Sequence, residues 1–233
     1  MIQVVITGYI GPAKVARSID LDPSVRISQM YNTIEQFFER QRKLKISLVL
    51  TGDRAQCHNF FNFVMQHKPN WLSVGLHYFT QSSCECHRGK GWKEVQLLQN
   101  FIHKTDLGHA PFLKLSSKYT IDNLQQVLSV CEASARSIGW THFCKNMVDT
   151  RAIIITRTVM ESKHLLNVDD SRGYYMEHAM YDALTESGKK LLFYKRPIIS
   201  GLSGSTGSFS KMSFFKRGLI QAVTISTRGF RDV

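Results

Sequence analysis

Short apolar segments alternate with helical segments along most of this chain, and the alternation limits the folds open to it. The first apolar run, residues 2–7, ends at Gly8, and a helical pattern opens near Pro23. Later apolar runs lie at residues 45–51, 72–79, 111–115, 151–156 and 190–194, with helical patterns between them. The alternation predicts an α/β fold, a sheet covered by helices on both faces.

The length favours a single domain. A chain of 233 residues can bury a sizeable core. The low-complexity stretch at residues 200–208 is rich in glycine and serine and is predicted to be a mobile loop. We assign residues 1–200 to the main body and residues 201–233 to a Gly/Ser loop and a basic C-terminal segment of the same domain.

The charge balance indicates an anionic partner. The apolar content of 43% is ordinary, but the formal net charge is +12. Such an excess suits a nucleotide, a nucleic acid or an anionic membrane surface. The five cysteines are scattered, and the chain has neither a secretory apolar segment nor a membrane-spanning run. We therefore predict a cytoplasmic protein, whose membrane contact, if it has one, is peripheral and at the inner face of the cytoplasmic membrane.

Several common motifs are absent from the sequence. No glycine pattern ends in Gly-Lys-Ser/Thr, as a P-loop would, and the Gly8–Gly11 segment lacks the third glycine of a dinucleotide fingerprint. Residues 201–207 contain no complete Gly-x-Ser-x-Gly elbow. These absences disfavour nucleotide hydrolysis, hydride transfer and serine esterase chemistry.

Two local clusters have competing interpretations. The Cys84–His87 segment could supply zinc ligands, but structural zinc sites use paired Cys-x2-Cys halves, so we predict a reduced loop. The basic aromatic segment Phe209–Arg217 could lie on an anionic membrane, bind nucleic acid or form an ordinary packed helix. Nucleic-acid binding is disfavoured because no known module accompanies the charge.

Charged residues cluster around the predicted strand ends. Lys114 and Lys118 flank the end of one strand, while Asp149 and Arg151 precede the next strand and Arg157 follows it. Ligands of open α/β sheets bind at the carboxyl ends of strands. Singly, the two lysines would be solvated and the Asp149–Arg151 pair a weak salt bridge. Together, these residues predict a cleft suited to a diphosphate leaving group.

The segment from Asp170 to Leu184 predicts an amphipathic helix with Glu177 in its first turn. A carboxylate at the edge of a cleft can act as a general base toward an acceptor hydroxyl. The alternative is that Glu177 only stabilises the helix start and that His178 is a surface residue. The sequence leaves open whether Glu177 or His178 faces the cleft.

These motifs resemble small bacterial glycosyltransferases that build surface polysaccharides such as lipopolysaccharide O-antigen and capsule. The resemblance covers about residues 90–210 and rests on the segments beginning at Glu94, Phe112, Asp149, Thr156, Asp170 and Ile199. Ser117 and Lys118 replace a Gly-Arg pair of the family's pattern, which weakens bidentate phosphate binding there.

The resemblance implies a GT-A-like fold with a mixed sheet and a sugar nucleotide donor. We predict an acceptor hydroxyl on a glycan or a lipid-linked molecule and no nucleic-acid partner. Both inversion and retention occur on this kind of fold; our hypothesis is inverting transfer with Glu177 as the base, while His178 orients the acceptor or replaces Glu177 as the base. The Gly/Ser loop would close over the donor. The donor-binding candidates are Glu94, Lys114, Lys118, Asp149, Arg151 and Arg157.

The predicted cofactor requirement follows from one difference between this sequence and the GT-A pattern. GT-A enzymes usually hold Mn²⁺ or Mg²⁺ on the donor diphosphate with an Asp-x-Asp motif, and here only Asp20-Leu-Asp22 has those letters, ahead of a predicted helix. Asp149-Thr-Arg151 stands where the motif is expected, with an arginine replacing the second acid. We therefore favour metal independence and assign no certain cofactor.

The competing hypothesis for the function is a non-catalytic basic module that binds nucleic acid or an anionic membrane.

Overall fold

The computed structural model describes most of the chain. The described residues are 1–11, 22–39, 43–80, 86–141, 146–187, 191–192, 196–202 and 209–211. The strands in these ranges are β1 (Ile2–Ile10), β2 (Leu44–Gly52), β3 (Ser73–Tyr78), β4 (Phe112–Ser116), β5 (Thr120–Ile121), β6 (Gly139–Trp140), β7 (Ala152–Ile155), β8 (Leu191–Leu192), β9 (Ile199–Leu202) and β10 (Phe209–Lys211). The helices are α1 (Pro23–Glu35), α2 (Arg54–His67), α3 (Lys90–Lys104), α4 (Leu124–Ala133), α5 (Arg157–Met160), α6 (Lys163–Leu166) and α7 (Met176–Glu186), together with single 3₁₀ turns at Cys86–Arg88 and Asp170–Arg172.

A five-stranded sheet in the order β3–β2–β1–β4–β7 forms the centre of the fold. The strands from β1 to β4 run parallel, whereas β7 pairs antiparallel with β4, with Phe112 opposite Ile155 and Leu115 opposite Ala152. The parallel strands therefore end, and β7 begins, at one edge, which we call the carboxyl edge. The opposite edge is where the parallel strands begin and β7 ends.

Helices cover both faces of this sheet, as the sequence predicted. Side chains of a strand alternate between its faces, so Val4 and Ile6 join one core cluster and Val5 joins the other. The first cluster contains the apolar faces of α1, α2 and α4, and the second contains those of α3, α5, α6 and α7. The predicted α/β class with a mixed sheet is confirmed.

Smaller sheets extend the body beyond the central sheet. β9 pairs antiparallel with both β5 and β10, and β6 pairs with β8. The boundary predicted between residues 200 and 201 falls inside β9. The helical segment after β7 is divided into α5 and α6, because Ser162 accepts a hydrogen bond from the His164 backbone N–H and starts a new helix.

The start of α3 is fixed by a close approach to the turn at Asp170. Gly89 has a φ of 95°, in the left-handed region, and a side chain there would collide with Asp170. Asp170 Oδ2 accepts a hydrogen bond of 3.1 Å from the Gly91 backbone N–H. This contact sets α3 beside the segment that leads into α7. No helix of the described residues has the length and apolar composition to cross a membrane.

Candidate active site

Two helices and two strands bring most of the predicted site residues to the carboxyl edge. Lys114 lies in β4, and Glu94 lies in the second turn of α3. Asp149 and Arg151 precede β7, and Glu177 lies in the first turn of α7. Because β7 is antiparallel, its start lies at the edge where β4 ends, and the residues meet there.

Lys114 is the buried centre of this edge. Its side chain is 0% exposed, and its Nζ lies 2.6 Å from Glu94 Oε1. The same ammonium donates to the Thr150 carbonyl at 2.6 Å and to Ser116 Oγ at 3.1 Å. An ammonium has three N–H donors, so these partners use all of them. Lys114 therefore holds the site together and has no donor left for a ligand.

One carboxylate oxygen of Glu94 accepts several hydrogen bonds. Besides Lys114, Oε1 accepts from Thr7 Oγ1 at 2.7 Å and from Ser116 Oγ at 3.3 Å. Burial by itself would raise the pKa of this carboxyl, but the charge of Lys114 and the hydrogen bonds from Lys114 and Thr7 hold the pKa below its ordinary value. Glu94 is thus an anion, with its side chain 28% exposed.

Glu177 lies in a contrasting environment. Its carboxylate accepts a hydrogen bond of 3.1 Å from Thr150 Oγ1, so Thr150 bonds to both Lys114 and Glu177. Burial raises the pKa of Glu177, and the negative charge of Glu94 raises it further, while bonds from its own backbone N–H and from Thr150 offset only part of the rise. Two carboxyls beside one lysine thus have pKa values displaced in opposite directions, the pattern of paired groups with separate acid–base roles.

Asp149 anchors two guanidinium groups. Arg151 binds it through two parallel hydrogen bonds, 2.8 Å from Nε to Oδ1 and 2.7 Å from Nη2 to Oδ2, and Arg196 Nη2 lies 3.3 Å from Oδ2. Burial would raise the pKa of Asp149, but the hydrogen bond and charge of Arg151 and the charge of Arg196 lower it. The Arg151 side chain is 32% exposed, with its Cζ 5.5 Å from the centre of the Tyr119 ring.

His178 points to a different set of neighbours from Glu177. Its ring stacks against Tyr174 and Tyr175, with centroid separations of 6.2 and 5.7 Å. Nδ1 is buried and has no hydrogen-bond partner among the described residues. Residues next to each other in a helix face about 100° apart, so only Glu177 of this pair reaches the Lys114 cluster.

Arg157 does not join the site. It follows the carboxyl end of β7, but β7 is antiparallel to β4, so Arg157 lies at the opposite edge of the sheet. There it forms an exposed ion pair with Glu161 at 2.8 Å, within one turn of helix. The prediction that Arg157 shares the cleft is therefore corrected, because the end of β7 lies at the edge opposite to the end of β4.

The described residues of the carboxyl edge do not form the ligand set of a divalent metal. Among the described residues, no three His, Cys, Asp or Glu side chains are grouped as they are around a metal ion. Two of the acids at this edge are bound by cations, Glu94 by Lys114 and Asp149 by Arg151 and Arg196, while Glu177 accepts a hydrogen bond from Thr150. The residues present there do not fit a carboxylate-bound Mn²⁺ or Mg²⁺.

Some predictions fall outside the described residues. They include most of the proposed lid at residues 201–208, most of the basic aromatic segment Phe209–Arg217, and Cys84 and Glu85 of the cysteine cluster. Residues 86–88 of that cluster form a 3₁₀ turn.

Sequence reasoning missed the hydroxyl groups of the site. Thr7, Ser116 and Thr150 each donate a hydrogen bond to a carboxylate there. Thr150 stands between Asp149 and Arg151, two residues that the sequence did single out. Buried hydroxyl residues follow no periodic sequence pattern. The position of Thr150 between Asp149 and Arg151 was therefore the sequence signal that could have identified it.

Comparison with solved structures identifies the fold as that of GT-A-type glycosyltransferases. Mouse xyloside xylosyltransferase 1 is similar with a TM-score of 0.50 and 5% identity, over 82% of this chain and 84% of that chain. The glycosyltransferase GlyE of Streptococcus pneumoniae TIGR4 gives 0.49 at 11% identity, over 82% of this chain and 44% of that chain. HddC from Yersinia pseudotuberculosis, complexed with GMP-PN, gives 0.48 at 12% identity, over 71% and 81%.

These identities relate the chain to its structural neighbours by fold alone. No protein-family model and no curated protein sequence matches it.

Proposed function

We propose that this protein is a glycosyltransferase that moves a sugar from a nucleotide-sugar donor to a hydroxyl of a glycan or a lipid-linked acceptor. The observation that carries the proposal is the pair Glu94 and Glu177 beside the buried Lys114, with pKa values displaced in opposite directions at the carboxyl edge. The GT-A-type fold supports it, because open α/β sheets bind ligands at this edge.

Glu177 is the base of the proposed reaction. Its raised pKa makes it a stronger base than an exposed glutamate, and it accepts the proton of the acceptor hydroxyl. The acceptor oxygen forms a bond to the anomeric carbon as the bond from that carbon to the phosphate oxygen breaks. The nucleoside diphosphate leaves with the bonding electrons, and the configuration at the anomeric carbon is inverted.

The other residues position the reactants. Lys114 keeps Glu94 ionised, and the hydrogen bonds that Glu94 accepts from the described residues fall on Oε1, so we assign Oε2 to a donor hydroxyl. Asp149 orients Arg151 through two parallel hydrogen bonds, and the partly exposed Arg151 guanidinium stabilises negative charge on the leaving diphosphate. We assign the orientation of the acceptor to His178, which follows Glu177 in α7 and stacks on Tyr175.

The resemblance to bacterial surface-polysaccharide enzymes suggests the cellular setting. We assign the reaction to the cytoplasmic side of the membrane, where a lipid-linked acceptor is presented and the excess positive charge of the chain favours peripheral contact with anionic lipid.

Thermal unfolding against a panel of sugar nucleotides tests the proposal. A ligand at about 100 times its dissociation constant adds about 2.7 kcal/mol. For a chain of this size that raises Tm by roughly 5–10 °C. Stabilising nucleotides are then assayed for transfer to oligosaccharide and lipid-linked acceptors. A panel in which no sugar nucleotide raises Tm contradicts the proposal.

The net charge of +12 favours one alternative, a non-catalytic basic module. Binding to random oligonucleotides or anionic vesicles that weakens steeply with salt, without any sugar nucleotide affinity, would support that alternative.

A further inference from the structure

The two helices that carry the carboxyls of the candidate site meet at a glycine. Gly91 lies in the first turn of α3, three residues before Glu94, and Met176 begins α7, one residue before Glu177. A Cβ atom added to Gly91 would lie 3.3 Å from both the backbone nitrogen and the Cβ of Met176. Non-bonded carbon atoms pack best at about 3.5–4.0 Å. The start of α7 therefore lies closer to α3 than any residue other than glycine would allow.

Asp170 takes part in the same contact from the turn that precedes α7. Its Oδ2 accepts the hydrogen bond of 3.1 Å from the Gly91 backbone N–H, and its Oδ1 would lie 2.7 Å from a Cβ atom at Gly91. The two oxygens belong to one planar carboxylate, so a methyl group at Gly91 would push Oδ1 away and stretch the hydrogen bond to Oδ2. The contact thus depends both on the hydrogen bond and on the missing side chain.

The backbone of α3 does not require a glycine at position 91. Gly89, which precedes the helix, has a positive φ, whereas Gly91 does not. Glycine is also one of the least favourable residues within a helix, because the unfolded chain gains more freedom from it than from alanine. The close approach of Met176 and Asp170 is therefore the structural reason for a glycine here.

We propose that Gly91 is a positioning residue, which sets the separation between Glu94 and Glu177 by letting α7 pack directly on the first turn of α3. This inference rests on the proposed function and adds to it a residue that acts on the base through the contact of two helices. Lys114 holds Glu94 at 2.6 Å, and the charge of Lys118, in the turn after β4, attracts Glu94 as well. An outward shift of α7 would therefore move Glu177 and leave Glu94 in place.

The carboxyl of Glu177 reports this separation without any enzymatic reaction. Burial and the charge of Glu94 raise the pKa of Glu177, Lys114 lowers it, and Glu177 in turn acts on Arg151. Gly91→Ala should displace the start of α7 by a few tenths of an ångström, admit water to Glu177 and weaken the effect of Glu94. The pKa of Glu177 should therefore fall, and a ¹³C NMR titration of labelled glutamate carboxyls in the full chain measures the change.

Sugar transfer by the same variant gives the second measurement. Gly91→Ala should lower kcat by ~10-fold, since a 1 Å misplacement of a reacting group costs about 10²-fold. The acid limb of kcat should move to lower pH with the pKa of Glu177, while KM for the donor changes little because Glu94 stays in place. The matched control is Gly75→Ala in β3, where the nearest atom to a Cβ would be 3.7 Å away, an ordinary contact.

A folded Gly91→Ala variant whose Glu177 has the pKa of the parent protein overturns the proposal, and so does an equal change in Gly75→Ala. If Gly91→Ala does not fold, Asp170→Ala replaces it, because this variant removes the hydrogen bond to Gly91 without adding an atom. An unchanged pKa of Glu177 in Asp170→Ala would likewise overturn the proposal. A lowered pKa, combined with no stabilisation by any sugar nucleotide, would support the role of Gly91 and reject the glycosyltransferase.

Discussion

The two edges of the central sheet carry similar ion pairs with different consequences. At the carboxyl edge, Lys114 and Glu94 lie 2.6 Å apart, and at the opposite edge Arg157 and Glu161 lie 2.8 Å apart. The Lys114 side chain is fully buried, whereas the side chains of the second pair are 37% and 42% exposed. Burial, and not the separation of the charges, distinguishes the candidate active site from an ordinary surface pair, because water screens the exposed charges.

Replacing the proposed base should produce the largest effect on activity. Glu177→Gln keeps the size of the side chain and removes its basicity, so sugar transfer should fall by about 10²–10⁴-fold. Donor binding, measured by titration calorimetry, should change little. The matched control at the opposite edge is Glu161→Gln, which should transfer at the parent rate. Near-normal turnover of Glu177→Gln would rule Glu177 out as the base.

Breaking the buried pair should produce the largest effect on stability. Lys114→Met leaves Glu94 without its cation and costs about 3 kcal/mol or more, because the remaining charge is poorly solvated. The expected fall in Tm is roughly 6–12 °C in calorimetry. The double variant Lys114→Met with Glu94→Gln should recover part of this loss. If Lys114→Met unfolds at the parent temperature, the pair has no special role in the fold.

The hydrogen bond from Thr150 to Glu177 should affect the acid side of the pH dependence of sugar transfer. Glu177 acts when deprotonated, so activity is lost as pH falls through its pKa. The bond from Thr150 lowers that pKa, so Thr150→Val should raise it and move the acid limb of kcat to higher pH. Thr185→Val is the control, since Thr185 is exposed on the same helix and bonds to the Tyr181 carbonyl. An acid limb that moves to lower pH would contradict this assignment.

A substitution in the exposed Arg157–Glu161 pair should have the smallest effect on stability and activity. Arg157→Met removes a cation that water already screens, so the free energy of unfolding should change by less than about 0.5 kcal/mol. Transfer should proceed at the parent rate in the same assay, because Arg157 lies away from the carboxyl edge. A large loss of activity would show that the two edges communicate and would break the comparison.

The sequence predicted the candidate site unevenly. Glu177 was predicted in the first turn of its helix and is found there, because helical spacing is a local property. The Asp149–Arg151 ion pair was also predicted, because the two residues are only two positions apart in the sequence. Lys114 was expected to bind the donor or to be solvated, yet it is buried, because its surroundings come from α3 and from Thr150, both distant in sequence.

By itself, the sequence determined the five strands of the central sheet, the helices between them and that the sheet is covered on both faces. These properties follow from apolar spacing within about ten residues, which acts through local geometry. The tertiary structure decided the direction of β7, and with it that Arg151 joins the site and Arg157 does not. It also decided which charges are buried and which partners they meet, because both depend on residues far away in the chain. Burial raises the pKa of Glu177, whereas Lys114 and Thr7 hold the pKa of Glu94 below its ordinary value.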